Sequence, residues 1–407
     1  MDNKIKIIFG MDSYLPDVDG VVNCVHNYCL NLKDEADINV LVPKNKKGYV
    51  DNEPYKIHRC KSIHIPIVND YYGFPESDKK FKREAENIET DIIHIHSPFN
   101  MAKYGIKLAK KKNVPLVATF HSNMRPIFKS VVKFNWITEL LVKHLGKRYN
   151  QFDEVFVCSP LVEEQLRSFG YKGKVSYLPF GTDLEKCENV EELASIANDK
   201  FGLTDDELVF TYIGRVMKLK RIDFILKSLK IVKDRGIKFK FYIIGKGAEL
   251  KKLQKLSKKL GFTDEEIIFT GFLDRSLFPL INARSNLLLF PSMYDNFGLV
   301  KVEAAAYSTP GVFIEGSCAG YGVTDTVNGF LSNNTEVDFA DKICEAIKDK
   351  QKLKEIGQNA SRDIYISWKD CSEQLLNKLT SIVEERKSKS NLENQENNQQ
   401  EQKVELV

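Results

Sequence analysis

The chain has 407 residues, 43% of them apolar and 29% charged, with eight cysteines and a net charge of +4. That length exceeds one ordinary core and predicts two domains, while the lack of any run of about 18 apolar residues excludes a spanning helix. The N-terminus shows no basic stretch leading into an apolar run, so no secretory signal is expected, and cysteines without CxxC spacing read as reduced, buried thiols, not a zinc site.

In chain order, the first half predicts strands at 4–9, 38–42, 91–96, 115–120, 154–159 and 174–179, with helices at 21–32, 102–112 and 160–169. The polar, acidic stretch 181–207 reads as a linker between a first domain, 1–180, and a second, 208–365. The second predicts strands at 208–214, 239–245, 266–271, 286–291 and 310–314, separated by helices at 221–234, 248–260, 275–284 and 298–307. Continuously apolar strands, each followed by a helix, predict parallel sheets covered on both faces, hence two doubly wound α/β domains. From 387 to 407 the text has almost no apolar content and is expected to stay unordered.

In such sheets ligands bind beyond the carboxyl ends of the strands. After the first strand, SYLPDVDG ends at Gly20 and opens a helix, whose N-terminus favours an anion. After the strand at 208–214, GRVMKLK supplies Arg215 and Lys220, fixed cations suited to a diphosphate. The richest segment is LLLFPSMYDNFGLVKVEAAAYSTPGVFI, where Asp295 in a loop and Glu303 on a helix flank Asn296, Phe297, Gly298 and Leu299. Two carboxylates suit the hydroxyls of a polyol, and the free backbone amides a phosphate or sugar oxygen. His94 and His96 on DIIHIH are read as facing opposite sides of their strand, and neither is assigned to a metal.

D-N-F-G-L-V-K-V-E-A resembles the E-x7-E signature of the retaining glycosyltransferases of family 4, with Asp295 in place of the first glutamate. GRVMKLK resembles their G-R-x4-K clamp, IIGKGAE at 243–249 their V-G-x-G-P-E turn, and TFHS at 119–122 the segment carrying a histidine. The motifs come in the family's order between about residues 4 and 380. The resemblance implies a GT-B fold: two Rossmann-like domains facing a cleft, with a C-terminal helix at 366–386 returning to the N-domain. It implies that Glu303 binds the donor ribose, Asp295 the hexose hydroxyls, and the amides of Phe297, Gly298 and Leu299 the sugar and phosphate. His121 would face the transferred sugar from the first domain. The aspartate draws the carboxylate back by about one C–C bond, ~1.5 Å. Retention of configuration follows from the family alone, as does independence of any cofactor beyond a non-essential stimulation by divalent cations.

Residues 92–152 carry eleven Lys/Arg against one acid, Glu139, a net +10 in a chain of +4. Within them, cations such as Lys129 and Lys133 interleave with Phe128, Phe134 and Trp136, a pattern suited to anionic lipid. The competing reading is a helix with its apolar face on the sheet and lysines outside. Nucleic acid is not expected, since no binding motif accompanies the charge. SYLPDVDGVVNCV and IEGSCAGYGVTDTVNGFL are similar to bacterial diacylglycerol glucosyltransferases. The expectation is therefore a hexosyltransferase using a nucleotide sugar such as UDP-glucose and a lipid acceptor, cytoplasmic and peripheral on the inner face of the cell membrane. The alternatives are a soluble or cell-wall acceptor, a GT-B sugar-nucleotide epimerase, and a non-catalytic sugar-nucleotide binder.

Overall fold

The structure is a computed structural model that describes residues 4–404 apart from 18, 46–47, 66–69 and 133. The chain divides into two compact units, Met1–Pro179 with Trp368–Val407, and Phe180–Ser367.

Among its described residues, the first unit runs β1 (Ile5–Gly10), α1 (Gly20–Leu32), β2 (Ala36–Pro43), β3 (Lys56–Cys60), β4 (Ser62–Ile65), β5 (Asp70–Gly73), α2 (Lys79–Asn87), β6 (Ile92–Ile95), α3 (Asn100–Lys112), β7 (Leu116–Thr119), α4 (Met124–Val131), α5 (Asn135–Tyr149), β8 (Glu154–Val157), α6 (Pro160–Ser168) and β9 (Lys174–Tyr177). Seven strands form a parallel sheet in the order β3-β2-β1-β6-β7-β8-β9, and β4 with β5 makes an antiparallel hairpin. The strands β6, β7 and β8 are buried at every position, which is why they read as unbroken apolar runs. Local signals set the helix ends. Asp19 caps α1 through the amides of Val21 and Val22, Ser159 caps α6 with Pro160 behind it, and Asn113 stops α3 in the left-handed region.

The second unit runs α7 (Val190–Phe201), β10 (Val209–Ile213), α8 (Ile222–Asp234), β11 (Lys240–Ile244), α9 (Leu250–Lys259), β12 (Ile267–Gly271), α10 (Phe278–Arg284), β13 (Leu287–Phe290), α11 (Leu299–Ala305), β14 (Gly311–Ile314), β15 (Phe330–Ser332), α12 (Glu336–Ala346) and α13 (Lys350–Asp363). Its six parallel strands lie in the order β12-β11-β10-β13-β14-β15. Phe210, Tyr212, Phe241, Leu288 and Phe313 fill the middle of the core, and Phe339 on α12 packs against Phe224 on α8.

The stretch expected as a linker is built into this unit. Helix α7 packs on α10, and Arg284 holds the loop after it by donating to the carbonyls of Thr204 (2.6 Å) and Glu207 (2.7 Å). A buried guanidinium satisfied by carbonyls fixes that loop in place.

Helix α14 (Trp368–Val404) belongs to the first unit and packs on α1, where Trp368 meets Tyr28 edge-on. It continues past residue 387, where the sequence reading expects an unordered stretch. That text holds no glycine or proline to break a helix, and Lys387–Asn391 are exposed.

Candidate active site

Both sheets reverse strand order at one point, between β1 and β6 in the first unit and between β10 and β13 in the second. Open α/β sheets bind ligands just beyond the carboxyl ends of the strands at such a point.

In the second unit the loops after β10 and β13 carry most of the expected donor residues. The first ends in a 3-10 turn, Lys218–Lys220. The Lys220 ammonium pairs with the Asp295 carboxylate and lies 5.5 Å from the Phe290 ring centre. Arg221 donates to the Pro291 carbonyl at 3.1 Å, tying the two loops together. The other Asp295 oxygen, Oδ2, is buried and accepts no hydrogen bond, so it keeps its acceptor capacity. Arg215 is exposed at the head of the first loop. The turn after β11 completes this rim by backbone contact. Gly245 has φ 139°, and a Cβ there would stand 1.9 Å from the Gly214 carbonyl oxygen. Only glycine allows that approach.

Past Asp295 the chain turns through Gly298, whose φ of 72° is left-handed and whose added Cβ would meet Ala319 at 3.3 Å. Asn296 is buried, Phe297 packs edge-on against Phe180 at 5.4 Å, and Leu299 opens α11. Glu303 sits one turn further on, with 16% of its side chain exposed, and accepts from Arg275 at 3.0 Å. Burial pushes the Glu303 carboxyl above the usual range, an effect the Arg275 guanidinium opposes. Arg275 also pairs with Asp183.

Sequence reasoning did not single out Arg275, Asp183 or Lys301. Lys301 is buried, donates to the Tyr321 carbonyl at 2.5 Å and faces the Phe297 ring at 5.4 Å. Arg275 had a signal like that of Lys220, a cation just after a strand at a helix start. The partners of both are distant in sequence and left none.

In the first unit, Gly20 is exposed and opens α1, but the Asp19 carboxylate already occupies the amides of Val21 and Val22 at 2.8 and 2.9 Å. His121 follows β7, and its Nε2 lies 2.8 Å from Nδ1 of His96, which follows β6. The expectation that His94 and His96 face opposite sides is corrected: their rings are 4.0 Å apart. Residues two apart on a strand share a face. His94 reaches Thr119 Oγ1 at 2.8 Å. Burial drives both imidazoles far below their usual pKa, and His121 below it as well, so all three are neutral near pH 7.

Helices α4 and α5 bury one set of the basic stretch's side chains and expose another. Thr138, Val142, Leu145, Gly146 and Tyr149 face the core. Val131 (78%), Phe134 (61%), Trp136 (63%) and Leu140 (57%) stand in solvent, as does Lys129. Lys133 lies outside the described residues. Arg125 grips Glu139, the one acid of the stretch, at 2.9 Å. No helix among the described residues is long and apolar enough to cross a membrane.

Residues 18–186 match the family model described as Glycosyltransferase Family 4, and residues 195–363 match Glycosyl transferases group 1. The chain is 27% identical over 342 residues to an alpha-monoglucosyldiacylglycerol synthase of Acholeplasma laidlawii, covering 80% of this chain and 84% of that one. The synthase of the same name from Streptococcus pneumoniae is 25% identical over 348 residues, covering 83% and 77%. Among solved structures, HepE of Anabaena in complex with UDP superposes with a TM-score of 0.74 at 19% identity, over 93% of this chain and all of that one. Sucrose-phosphate synthase from Thermosynechococcus elongatus gives 0.72 at 18%, over 93% and 99%. With two reversing parallel sheets and family matches across both halves, the chain belongs to the GT-B glycosyltransferases of family 4.

Proposed function

We propose that the chain moves a hexose, with retention of configuration, from a nucleoside-diphosphate sugar to a lipid acceptor at an anionic membrane surface. UDP-glucose and diacylglycerol are the pair this reading puts first. The observation that carries it is the face of α4 and α5, where Val131, Phe134, Trp136 and Leu140 stand exposed beside Lys129. Similarity to two synthases named for a glucosylated diacylglycerol supports the same acceptor class.

In this reading the donor diphosphate draws Lys220 away from Asp295 and takes Arg215 as its second cation. The released Asp295 carboxylate accepts from hexose hydroxyls, and Glu303 accepts from the ribose. As the glycosidic bond breaks, charge grows on the leaving phosphate. Fixed cations and the amides of Phe297, Gly298 and Leu299 stabilise that charge more than the ground state, which lowers the barrier. A phosphate oxygen then takes the proton of the attacking hydroxyl on the same face, giving retention. In the first unit His121, neutral and partly exposed, is assigned to the transferred sugar.

The test is incubation with labelled UDP-glucose or GDP-mannose and anionic vesicles, with and without diacylglycerol, followed by mass spectrometry of the extracted lipid. A hexosyl-diacylglycerol formed only from UDP-glucose is expected. Label that reaches only water-soluble products overturns the lipid acceptor and leaves the transferase.

A further inference from the structure

The three neutral side chains on the first unit's side of its strand-order reversal suggest a second chemistry. Cys24 on α1, His96 after β6 and His121 after β7 bring a sulfur and two imidazole nitrogens within 4.8 Å of one another. Cys24 and His96 are 1% and 2% exposed, and only His121 reaches solvent. A second observation points at the same spot: Nε2 of His96 is buried and has no hydrogen-bond partner. Leaving a ring nitrogen so buried is unfavourable, a cost that an ion taken through Nε2 removes.

We propose that Cys24, His96 and His121 form a binding site for a divalent transition-metal ion of the zinc class. One thiolate and two imidazoles suit zinc or cobalt, whereas magnesium and calcium prefer oxygen ligands. Three protein ligands with solvent access on one side match a zinc position whose fourth ligand is exchangeable. Nitrogens on one tetrahedral zinc stand roughly 3.3 Å apart, given bonds of ~2.0–2.1 Å. The 2.8 Å His96–His121 hydrogen bond uses Nδ1 of His96, so an ion that takes His96 through its unpartnered Nε2 has to draw Nε2 of His121 out of that bond. The Cys24 thiol must also give up its proton against the burial that favours the neutral form, helped by the Tyr28 hydroxyl that donates to its sulfur. The site is therefore one that fills reversibly. Because His121 is also assigned to the transferred sugar, the ion withdraws it from that task. This inhibitory consequence rests on the proposed function; binding of the ion does not.

The experiment uses the full chain, stripped of metal with a chelator and kept reduced, and titrated with Co²⁺. One equivalent is expected to bring up a thiolate-to-cobalt charge-transfer band and the intense visible absorption of a tetrahedral ion. Cys24→Ala is expected to lose the charge-transfer band, with circular dichroism confirming its fold. His121→Ala, at the exposed end of the cluster, carries the same test should the buried change disturb folding. No charge-transfer band at saturating Co²⁺, or a band unchanged in both variants, overturns the site. Separately, one equivalent of Zn²⁺ is expected to slow transfer by the parent chain at least tenfold and to leave Cys24→Ala unaffected. Equal inhibition of both overturns the inhibitory role alone.

Discussion

Lys220 and Asp295, 75 positions apart in the chain, form an ion pair that joins the loops after β10 and β13. In the proposed reading each group serves a different part of a sugar nucleotide, the cation its diphosphate and the carboxylate its hydroxyls. A donor that engages both has to part them, so donor affinity is a difference between two sets of charge-assisted bonds.

Lys220→Ala is expected to weaken binding of UDP, measured by calorimetry. Losing one charge-assisted contact costs about 1.5–3 kcal/mol, roughly 10- to 150-fold. Asp295→Asn is expected to do the opposite to UDP, which has no hexose, because it frees Lys220 at no cost to the diphosphate. Unchanged affinity in both variants would place the clamp elsewhere.

Glu303→Ala is expected to keep its fold and lose most transfer. Two hydrogen bonds to a ribose give about 2–4 kcal/mol, or roughly 30- to 1000-fold in kcat/KM. Arg275→Ala leaves that carboxylate without its cation and is expected to raise KM for the donor more than it lowers kcat. Steady-state kinetics with varied donor separate the two.

The raised Glu303 carboxyl predicts a pH dependence with a definite sign. The folded chain holds this proton more tightly than the unfolded chain. Its contribution to stability is therefore present at low pH and lost as pH rises through the folded value. Donor affinity runs the other way, because the ribose hydroxyls need the ionised form. As pH rises above the ordinary glutamate value, about 4.3, UDP affinity should go on climbing in the parent chain and stay flatter in Glu303→Gln. Parallel slopes would show that another group titrates.

Gly245→Ala tests the backbone contact between the two donor-side loops. With φ 139° and only 1.9 Å to the Gly214 carbonyl oxygen, a Cβ forces one loop away. A loss of more than about 2 kcal/mol in chemical denaturation is expected, together with weaker UDP binding. Parent-like values in both measurements would mean that the loops move apart freely.

Attachment to lipid through Lys129 and Trp136 is expected to depend on salt. The Debye length falls from ~10 Å at 0.1 M to ~3 Å at 1 M, and each cation near the surface contributes about 1 kcal/mol. Sedimentation with anionic vesicles should fade along that series. A Lys129→Glu, Trp136→Ala double variant should bind least yet still hydrolyse donor. Equal sedimentation with neutral and anionic vesicles rules the electrostatic component out.

Much of this architecture was legible in the text of the chain. Strands such as Leu287–Phe290, buried at every position, write themselves as apolar runs. Edge elements did not. Strand Lys56–Cys60 is buried at one residue of five, and β15 is three residues long, too short for a period to show. Helix Val190–Phe201 was hidden by its acidity, although its Asn189 cap, Glu191 and Glu192 in the first turn, and Gly202 stop were all present. The donor loops were visible through motifs, whereas the Arg275–Glu303–Asp183 cluster needs the fold to bring its members together. The shared face of His94 and His96 follows from strand periodicity, and there the reading erred.

The division of the chain has a consequence for handling the protein. Residues Phe180–Ser367 are a guest set into a host made of two separated pieces, Met1–Pro179 and Trp368–Val407. Helix α14 belongs to the host, so a truncation that reaches its buried residues, Trp368 to Val383, damages the half that holds β1. The guest, with its own six-stranded sheet and core, is the fragment to excise and express alone. If it folds, nucleotide binding can be weighed there without α4, α5 or the histidine cluster.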